Sequence, residues 1–295
     1  MIDDTSASAP ENSLSNPSAS EPMDNLPESE TETSTPAAGM ELLRQGCDKL
    51  GLPLSARQIA QFEQYYQLLV EWNARINLTA ITDYADVQVK HFLDSLAALP
   101  IVAEEFDGAK SGAESGPESR AAAIPTQNLH IVDVGSGAGF PGIPLQIVAP
   151  HLRLTLMDGT GKKVQFLRTV VETLGLAHTQ VVQGRAEELA RQSAYRGQFD
   201  VVTARAVAPL NILVEYLLPL ARRNGFVVAF KGGSAPQEFI DARNAIETLG
   251  GEPVRFAPVQ VPFLNEQRFI LLIKKMQNTP GLYPRGQGMA RKKPL

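Results

Sequence analysis

The sequence is poor in several things, and each shortage excludes something. One cysteine, Cys47, stands among 295 residues. That rules out a disulfide framework and any Cys-rich zinc or iron–sulfur site. Aromatic residues make up only 6%, so a core must come mainly from Leu, Val, Ile and Ala. No run approaches the ~18 uninterrupted apolar residues of a membrane span, and no membrane partner is expected. The N-terminus has neither a basic start nor an apolar stretch, so it does not read as a signal peptide. A soluble protein of the reducing cytoplasm is the expectation. No His or carboxylate cluster has metal-ligand spacing, and no metal is expected.

Charge is unevenly placed. The formal net charge is −5, but residues 1–39 hold eight acids and no Lys or Arg, which leaves +3 for the remainder. Residues 274–293 hold six basic residues and no acid. This suits a polyanionic partner weakly, a solvated end being the commoner explanation of a basic tail.

Composition divides the chain into five stretches. Residues 1–39, rich in Ser, Thr, Pro and Glu, form an acidic leader with too little apolar surface to offset the entropy of ordering, and are expected to be disordered. Residues 40–103 are helical in pattern. Ser55 reads as an N-cap, with Ile59, Phe62, Tyr66 and Leu69 forming an apolar face behind it. A second helix through VQVKHFLDSLAAL turns Val89, Phe92, Leu93 and Leu96 inward. Residues 104–128 read as a low-complexity insertion. Residues 129–275 alternate β-branched runs with helical stretches, and residues 276–295 form the basic tail.

Within 129–275 the expected strands are 129–134, 152–157, 179–183, 199–203, 225–230, 253–259 and 268–274. Helices are expected near 141–149, 161–174, 185–194, 209–223 and 236–249. Such alternation implies right-handed crossovers and an α/β, doubly wound, mostly parallel sheet. No helix separates the last two strands, so they should form an antiparallel hairpin at the sheet edge. Seven strands ending in a hairpin is not the nicotinamide-dehydrogenase pattern.

The first strand runs directly into Gly135-Ser-Gly-Ala-Gly-Phe140-Pro-Gly142, four glycines in eight residues. The dinucleotide fingerprint requires glycine where Phe140 stands. The sequence has instead an acid followed by three alternating glycines, Asp133 through Gly139. Asp133 can face an ammonium group or hold the loop. A dinucleotide has a pyrophosphate to seat at a helix N-terminus, whereas S-adenosyl-L-methionine has a sulfonium and an amino group, which an acid favours. Asp158 closes the second strand, where a carboxylate can take two ribose hydroxyls; an ordinary helix N-cap is its alternative. Asp133, Gly135, Gly137 and Asp158 are therefore candidate cofactor residues.

With these residues the chain resembles the class I S-adenosylmethionine-dependent methyltransferases, Rossmann-like in fold. More narrowly it is similar to the GidB (RsmG) family of bacterial small-subunit rRNA methyltransferases, here with an N-terminal helical annex. WNARINLTAIT (72–82), VKHFLDSL (89–96), DVGSGAGFPGIPL (133–145), GKKVQFL (161–167), GRAEEL (184–189), TARAVAPL (203–210) and TPGLYPRGQGMARKKPL (279–295) carry the likeness. Two departures stand out: the acidic leader, and MDGTGKK where Asp-Ser-Leu-Gly-Lys is usual. The resemblance implies methyl transfer from S-adenosyl-L-methionine to N7 of a guanine in 16S rRNA, with the rRNA or small ribosomal subunit as partner. It assigns the cofactor to Gly135, Phe140, Ala186, Glu187 and Arg205. Phe140 and Ala186 offer apolar surface and Glu187 a hydrogen-bond acceptor. Arg205 offers a guanidinium able to bind a carboxylate or phosphate bidentately. A solvated helix acid at Glu187 and a structural ion pair at Arg205 are the alternatives.

The segment after the fourth strand, Ala204-Arg-Ala-Val207, lacks the Asp/Asn-Pro-Pro-aromatic motif of amino-group methyltransferases. Cys47 lies far from the glycine loop in sequence, against cytosine C5 chemistry. Guanine N7 has a free lone pair and needs no general base, so no catalytic side chain is assigned. His91, Asp94 and Ser95 invite a hydrolase reading but lie within little more than one helical turn, unlike a triad. His91 is read as packed or facing RNA, Trp72 as packing, and His130 as a strand-edge residue. Two other functions stay open: a methyltransferase acting on a small molecule or protein, and a non-catalytic RNA-binding protein. The sequence does not set the oligomeric state, and a monomer is expected. Deleting residues 1–39 should leave methyl transfer within about twofold of the full chain in an rRNA assay, as expected of a segment outside the fold. A large loss would mean that the leader takes part.

Overall fold

The computed structural model describes residues 39–107, 124–125 and 127–295. The expected disorder of the leader, and most of the insertion, lie outside the described residues. The first helix, α1 (Glu41–Leu50), stops at Gly51 in the left-handed conformation. Helix α2 (Ala56–Ile76) starts in a capping box, Ser55 and Gln58 each satisfying the other's backbone N–H. Its buried face is Ile59, Phe62, Tyr65 and Leu69. Tyr65 therefore replaces the expected Tyr66, which is half-buried and donates its hydroxyl proton to Thr82 O. Steps of three, three and four residues from Ile59 reach Tyr65 and Leu69, so the period itself favours Tyr65.

The second annex helix is not the plain α-helix expected. Tyr84–Asp86 (α3) and Asp94–Leu96 (α4) flank a π-helical stretch, Val87–Leu93, and α5 (Leu99–Asp107) follows. Widening the turn buries six of the seven π-helical residues, including Gln88 and His91.

Seven strands form one sheet: β1 (His130–Val134), β2 (Arg153–Asp158), β3 (Thr179–Gln183), β4 (Phe199–Arg205), β5 (Ala221–Lys231), β6 (Gly251–Val259) and β7 (Arg268–Lys275). Their spatial order is 3-2-1-4-5-7-6. The first five run parallel, and β7 lies antiparallel between β5 and β6. The doubly wound sheet with its terminal antiparallel hairpin is thus as expected. Chain order reverses at β1, and ligands of such sheets bind beyond the carboxyl ends of the strands at that point.

Helices α6 (Gly142–Val148) and α7 (Gly161–Thr173) share one core with the annex. The short α8 (Ala186–Leu189), α9 (Leu210–Leu217), α10 (Ala235–Asp241) and α11 (Arg243–Thr248) lie with the opposite sheet face, followed by α12 (Met289–Lys292) near the C-terminus. Three expected helices are shorter or divided. The segment expected at 209–223 stops at Leu217 because Pro219 has no N–H to continue the ladder, and β5 begins at Ala221. The expected 185–194 helix yields to turns after Leu189, and 236–249 divides at Ala242. No described helix is long and apolar enough to cross a membrane.

The annex is fastened by aromatic packing. The Phe92 ring lies 4.9 Å from Phe62 and 5.4 Å from Tyr65, centroid to centroid. Trp72 packs against Phe166 of α7 at 5.8 Å, as expected for a packing role. Phe92 is fully buried, so Phe92→Ala should cost about 3–5 kcal/mol in urea unfolding followed by circular dichroism. A cost below about 1 kcal/mol would mean that the annex is only loosely held.

Candidate functional site

Two carboxylates shape the glycine loop. Parallel register sets Val134 beside Met157, so Asp133 and Asp158 reach the same edge of the sheet. The Gly142 N–H donates to Asp133 Oδ2 at 3.0 Å, and the Gly137 N–H donates to Asp158 Oδ2 at 2.9 Å. Asp158 Oδ1 accepts the Thr160 N–H at 2.7 Å, leading into α7. Gly135, Gly137 and Gly139 all have positive φ, a region that favours glycine. At Gly139 a Cβ would stand 2.4 Å from Ile143 and 2.6 Å from the Tyr65 hydroxyl. That hydroxyl donates to Ala138 O, so α2 of the annex braces the loop directly.

Asp133 is fully buried and its Oδ1 has no hydrogen-bond partner. The neighbouring Ser136 hydroxyl gives its proton to the Asp133 carbonyl at 2.9 Å instead. Burial pushes the Asp133 carboxyl up to about 7, against the opposing pull of the Gly142 N–H and the Arg205 charge.

Beside the loop lies a cavity of about 290 Å³ lined by Gly135, Asp158, Ala186, Glu187, Tyr216 and Arg291, among others. Of the sequence candidates, Gly135, Asp158, Ala186 and Glu187 are thus brought together. Gly137 is bonded to Asp158, whereas Asp133 and Phe140 are buried and not among the lining residues. Glu187 is not a solvated helix acid: it is 8% exposed and its Oε1 accepts the Gly288 N–H at 3.3 Å.

Arg205 lines a second cavity of about 630 Å³, with Lys90, His91, Asp94, Phe230, Lys231 and Arg268. The two cavities share Ala206 and Val207. Ala206 is held at φ 57°, a strained conformation for a residue with a Cβ. Arg205 is first of all a structural ion pair. It donates to Asp94 Oδ2 at 2.8 Å and to the π-helical carbonyls of Lys90 and His91 at 3.2 and 3.4 Å. Its Nη2 faces His91 Nδ1 at 3.2 Å. The same Nδ1 also lies 3.2 Å from the Lys90 carbonyl oxygen, and His91 Nε2 lies 2.8 Å from Thr79 Oγ1. Burial and the Arg205 charge lower the His91 pKa to about 3, so the ring is neutral. Phe140 stacks under His91 at 4.4 Å, with the Arg205 guanidinium 5.0 Å from the Phe140 ring.

The hydrolase arrangement does not form: Ser95 donates to His91 O, and Asp94 is held by Arg205 and Arg268. Cys47 is buried on α1 with its thiol pushed up to about 12 by burial, far from nucleophilic character. His130 packs at the strand edge, its Nε2 3.2 Å from Thr155 Oγ1. Among the described residues no group of His, Cys, Asp or Glu could hold a metal ion.

The basic residues of 274–293 divide: Lys275, ending β7, is buried and donates to Leu218 O and Leu249 O at 2.8 and 3.0 Å, and Arg285 forms a fork on buried Glu215, while Arg291, Lys292 and Lys293 are exposed. Sequence reasoning missed Tyr216, Arg291 and Arg268. Tyr216 falls within an apolar helical run and gave no signal, while Arg291 was visible only as tail charge.

A strand order of 3-2-1-4-5-7-6, a glycine turn after β1 and an acid ending β2 define a Rossmann-like class I methyltransferase fold. The family model for rRNA small subunit methyltransferase G (GidB) matches residues 58–112 and 119–269, and the chain belongs to that family. It is 44% identical over 248 residues to ribosomal RNA small subunit methyltransferase G of Geobacillus kaustophilus, covering 84% of this chain and 95% of the relative. With the protein of that name from Alkaliphilus metalliredigens it shares 40% over 254 residues, 86% of this chain and 98% of the relative. A solved SAM-dependent methyltransferase from Aquifex aeolicus is similar over 51% of this chain and 84% of its own, at 17% identity and a TM-score of 0.40, too distant to bear on function.

Between pH 3.8 and about 7 the folded protein keeps a proton on Asp133 that the unfolded chain has released. Stability from this group is therefore present at low pH and lost as pH rises through that window. Asp133→Asn should remove this slope, so that its stability relative to wild type is greater at pH 8 than at pH 5 in urea unfolding. A pH-independent difference would contradict the buried, proton-holding carboxyl.

Proposed function

We propose that this protein transfers the methyl group of S-adenosyl-L-methionine to N7 of a guanine in 16S rRNA. The observation that carries this reading is the meeting of two cavities at Ala206 and Val207, at the carboxyl ends of the parallel strands. The smaller cavity suits the cofactor. Gly135, at positive φ and with Val207 packed 2.9 Å from where a Cβ would stand, lines that cavity with backbone alone. Each Asp158 oxygen takes one backbone N–H, which leaves lone pairs for a vicinal diol. Ala186 and Glu187 line the same cavity and would hold the adenine edge. When bound, the cofactor supplies an electrophilic methyl on a sulfonium.

The protein's part is orientation. Asp94, Arg205 and Arg268 form a braced wall beside the Ala206 turn, and Phe230 and Lys231 complete the larger cavity, where the base would enter. A guanine N7 lone pair takes the methyl as the positive charge passes from sulfur to the imidazole ring, and no proton has to leave. This agrees with the state of the groups nearby: His91 is neutral, and Glu238 is held by Lys231 and Ser234. Positioning of this kind is worth as much as ~7–11 kcal/mol. Membership of the small-subunit rRNA methyltransferase G family supports an rRNA substrate, for which binding should weaken steeply with salt.

Methyl-labelled cofactor should be incubated with 30S subunits, naked 16S rRNA and a panel of small molecules. Label in RNA, mapped to a guanine N7, is expected, and label only outside RNA would overturn the reading. Gly135→Asp should lower cofactor affinity by at least about 100-fold, roughly 2.7 kcal/mol, with RNA affinity largely kept. A wild-type protein that binds RNA but no cofactor would favour a non-catalytic RNA-binding role instead.

A further inference from the structure

The C-terminal segment is fastened across the domain at every step. Arg196 donates to the carbonyls of Thr279 and Tyr283 at 2.9 and 2.8 Å, and Arg191 to Pro284 O at 2.9 Å. Arg285 then pins the segment to Glu215, whose side chain is 1% exposed, through contacts of 2.6 and 3.0 Å. Ala290 is buried, and at the end of the path Arg291 Nη2 donates to Val207 O at 3.0 Å. Val207 and Glu187, the latter held by the Gly288 N–H, both line the smaller cavity, as does Arg291 itself.

Three cations line that cavity: Lys163, Arg185 and Arg291. Arg185 lies 3.6 Å from where a Gly159 Cβ would stand, next to Asp158, and Lys163 is on α7, which follows Asp158. Arg291 is instead fastened to Val207, whose side chain lies 2.9 Å from where a Gly135 Cβ would stand. Arg205 lines the adjoining cavity instead, its Nη nitrogens directed at Asp94, His91 and the π-helical carbonyls.

We propose that the strap from Thr279 to Lys292 forms a wall of the cofactor cavity, and that Arg291 receives the carboxylate of the cofactor's amino-acid portion. This rests on the S-adenosyl-L-methionine reading above. It makes Arg291 a binding residue supplied from the far end of the chain and couples docking of the strap to occupancy of the cavity. A charge-assisted guanidinium–carboxylate contact acts only on ligands that carry the carboxylate.

Full-length wild type, Arg291→Ala and Arg291→Lys should be titrated calorimetrically with S-adenosylhomocysteine and with 5′-methylthioadenosine, which lacks the amino-acid portion. Arg291→Ala should weaken S-adenosylhomocysteine roughly 10–100-fold, leave 5′-methylthioadenosine within about twofold, and be partly rescued by lysine. S-adenosylhomocysteine should also slow amide hydrogen exchange in residues 281–292 of the wild type. Equal affinity of all three proteins for S-adenosylhomocysteine would overturn the inference while leaving the function intact, and so would an equal loss for both ligands. A wild type that binds neither ligand would overturn the cofactor reading, and this inference with it.

Discussion

Two acids at the carboxyl-terminal ends of adjacent parallel strands, Asp133 next to last in β1 and Asp158 last in β2, govern the site. Asp133 and Asp158 each hold one glycine N–H of the loop, Gly142 and Gly137. These bonds join the Ser136 and Met157 carbonyls and the Tyr65 hydroxyl in ordering a stretch whose glycines lose the most freedom on folding. The arrangement opposes stability at Asp133, whose burial pushes the carboxyl up to about 7 and leaves one oxygen unpaired. Asp133 lines neither cavity and serves the site by holding the loop at Gly142.

The helical annex is part of the site. Tyr65 bonds the loop at Ala138, and Phe140 is clasped between Tyr65 and His91. The π-helical stretch turns the carbonyls of Lys90 and His91 toward Arg205 at the end of β4, while Asp94 joins Arg205 to Arg268 of β7. One ion-paired cluster thus ties annex, central strand and edge hairpin around the larger cavity. Breaking such a buried cluster by removing one partner leaves an uncompensated charge, and its geometry is correspondingly fixed.

Much of this was legible in the residues. Strand–helix alternation carried the sheet and its terminal hairpin, because each strand is a short β-branched run bounded by turn residues. The acid-glycine pattern located the smaller cavity, and Asp158 took the place its spacing implied. What was not legible depended on long-range contacts. Nothing local marks Val87–Leu93 as π-helical, and nothing in TARAVAPL says that Arg205 faces back into the annex. The inward turn of Tyr65 rather than Tyr66 was readable from the period, but the end of α9 required giving Pro219 its weight. At Arg285 the tail misled, because basic charge without an acid nearby in sequence resembles a solvated end, whereas its partner Glu215 lies 70 positions earlier.

The central claim is that a sulfonium donor, and no dinucleotide, occupies the cavity between the Gly135 turn and Asp158. Nitrogen-15 amide spectra of the full chain, recorded during titration with S-adenosyl-L-methionine and separately with NAD, test it most directly. The account predicts saturable shifts of the Gly137, Gly142 and Thr160 amides with the first ligand and none with the second. Shifts of these amides by NAD, with S-adenosyl-L-methionine leaving them unmoved, would contradict it.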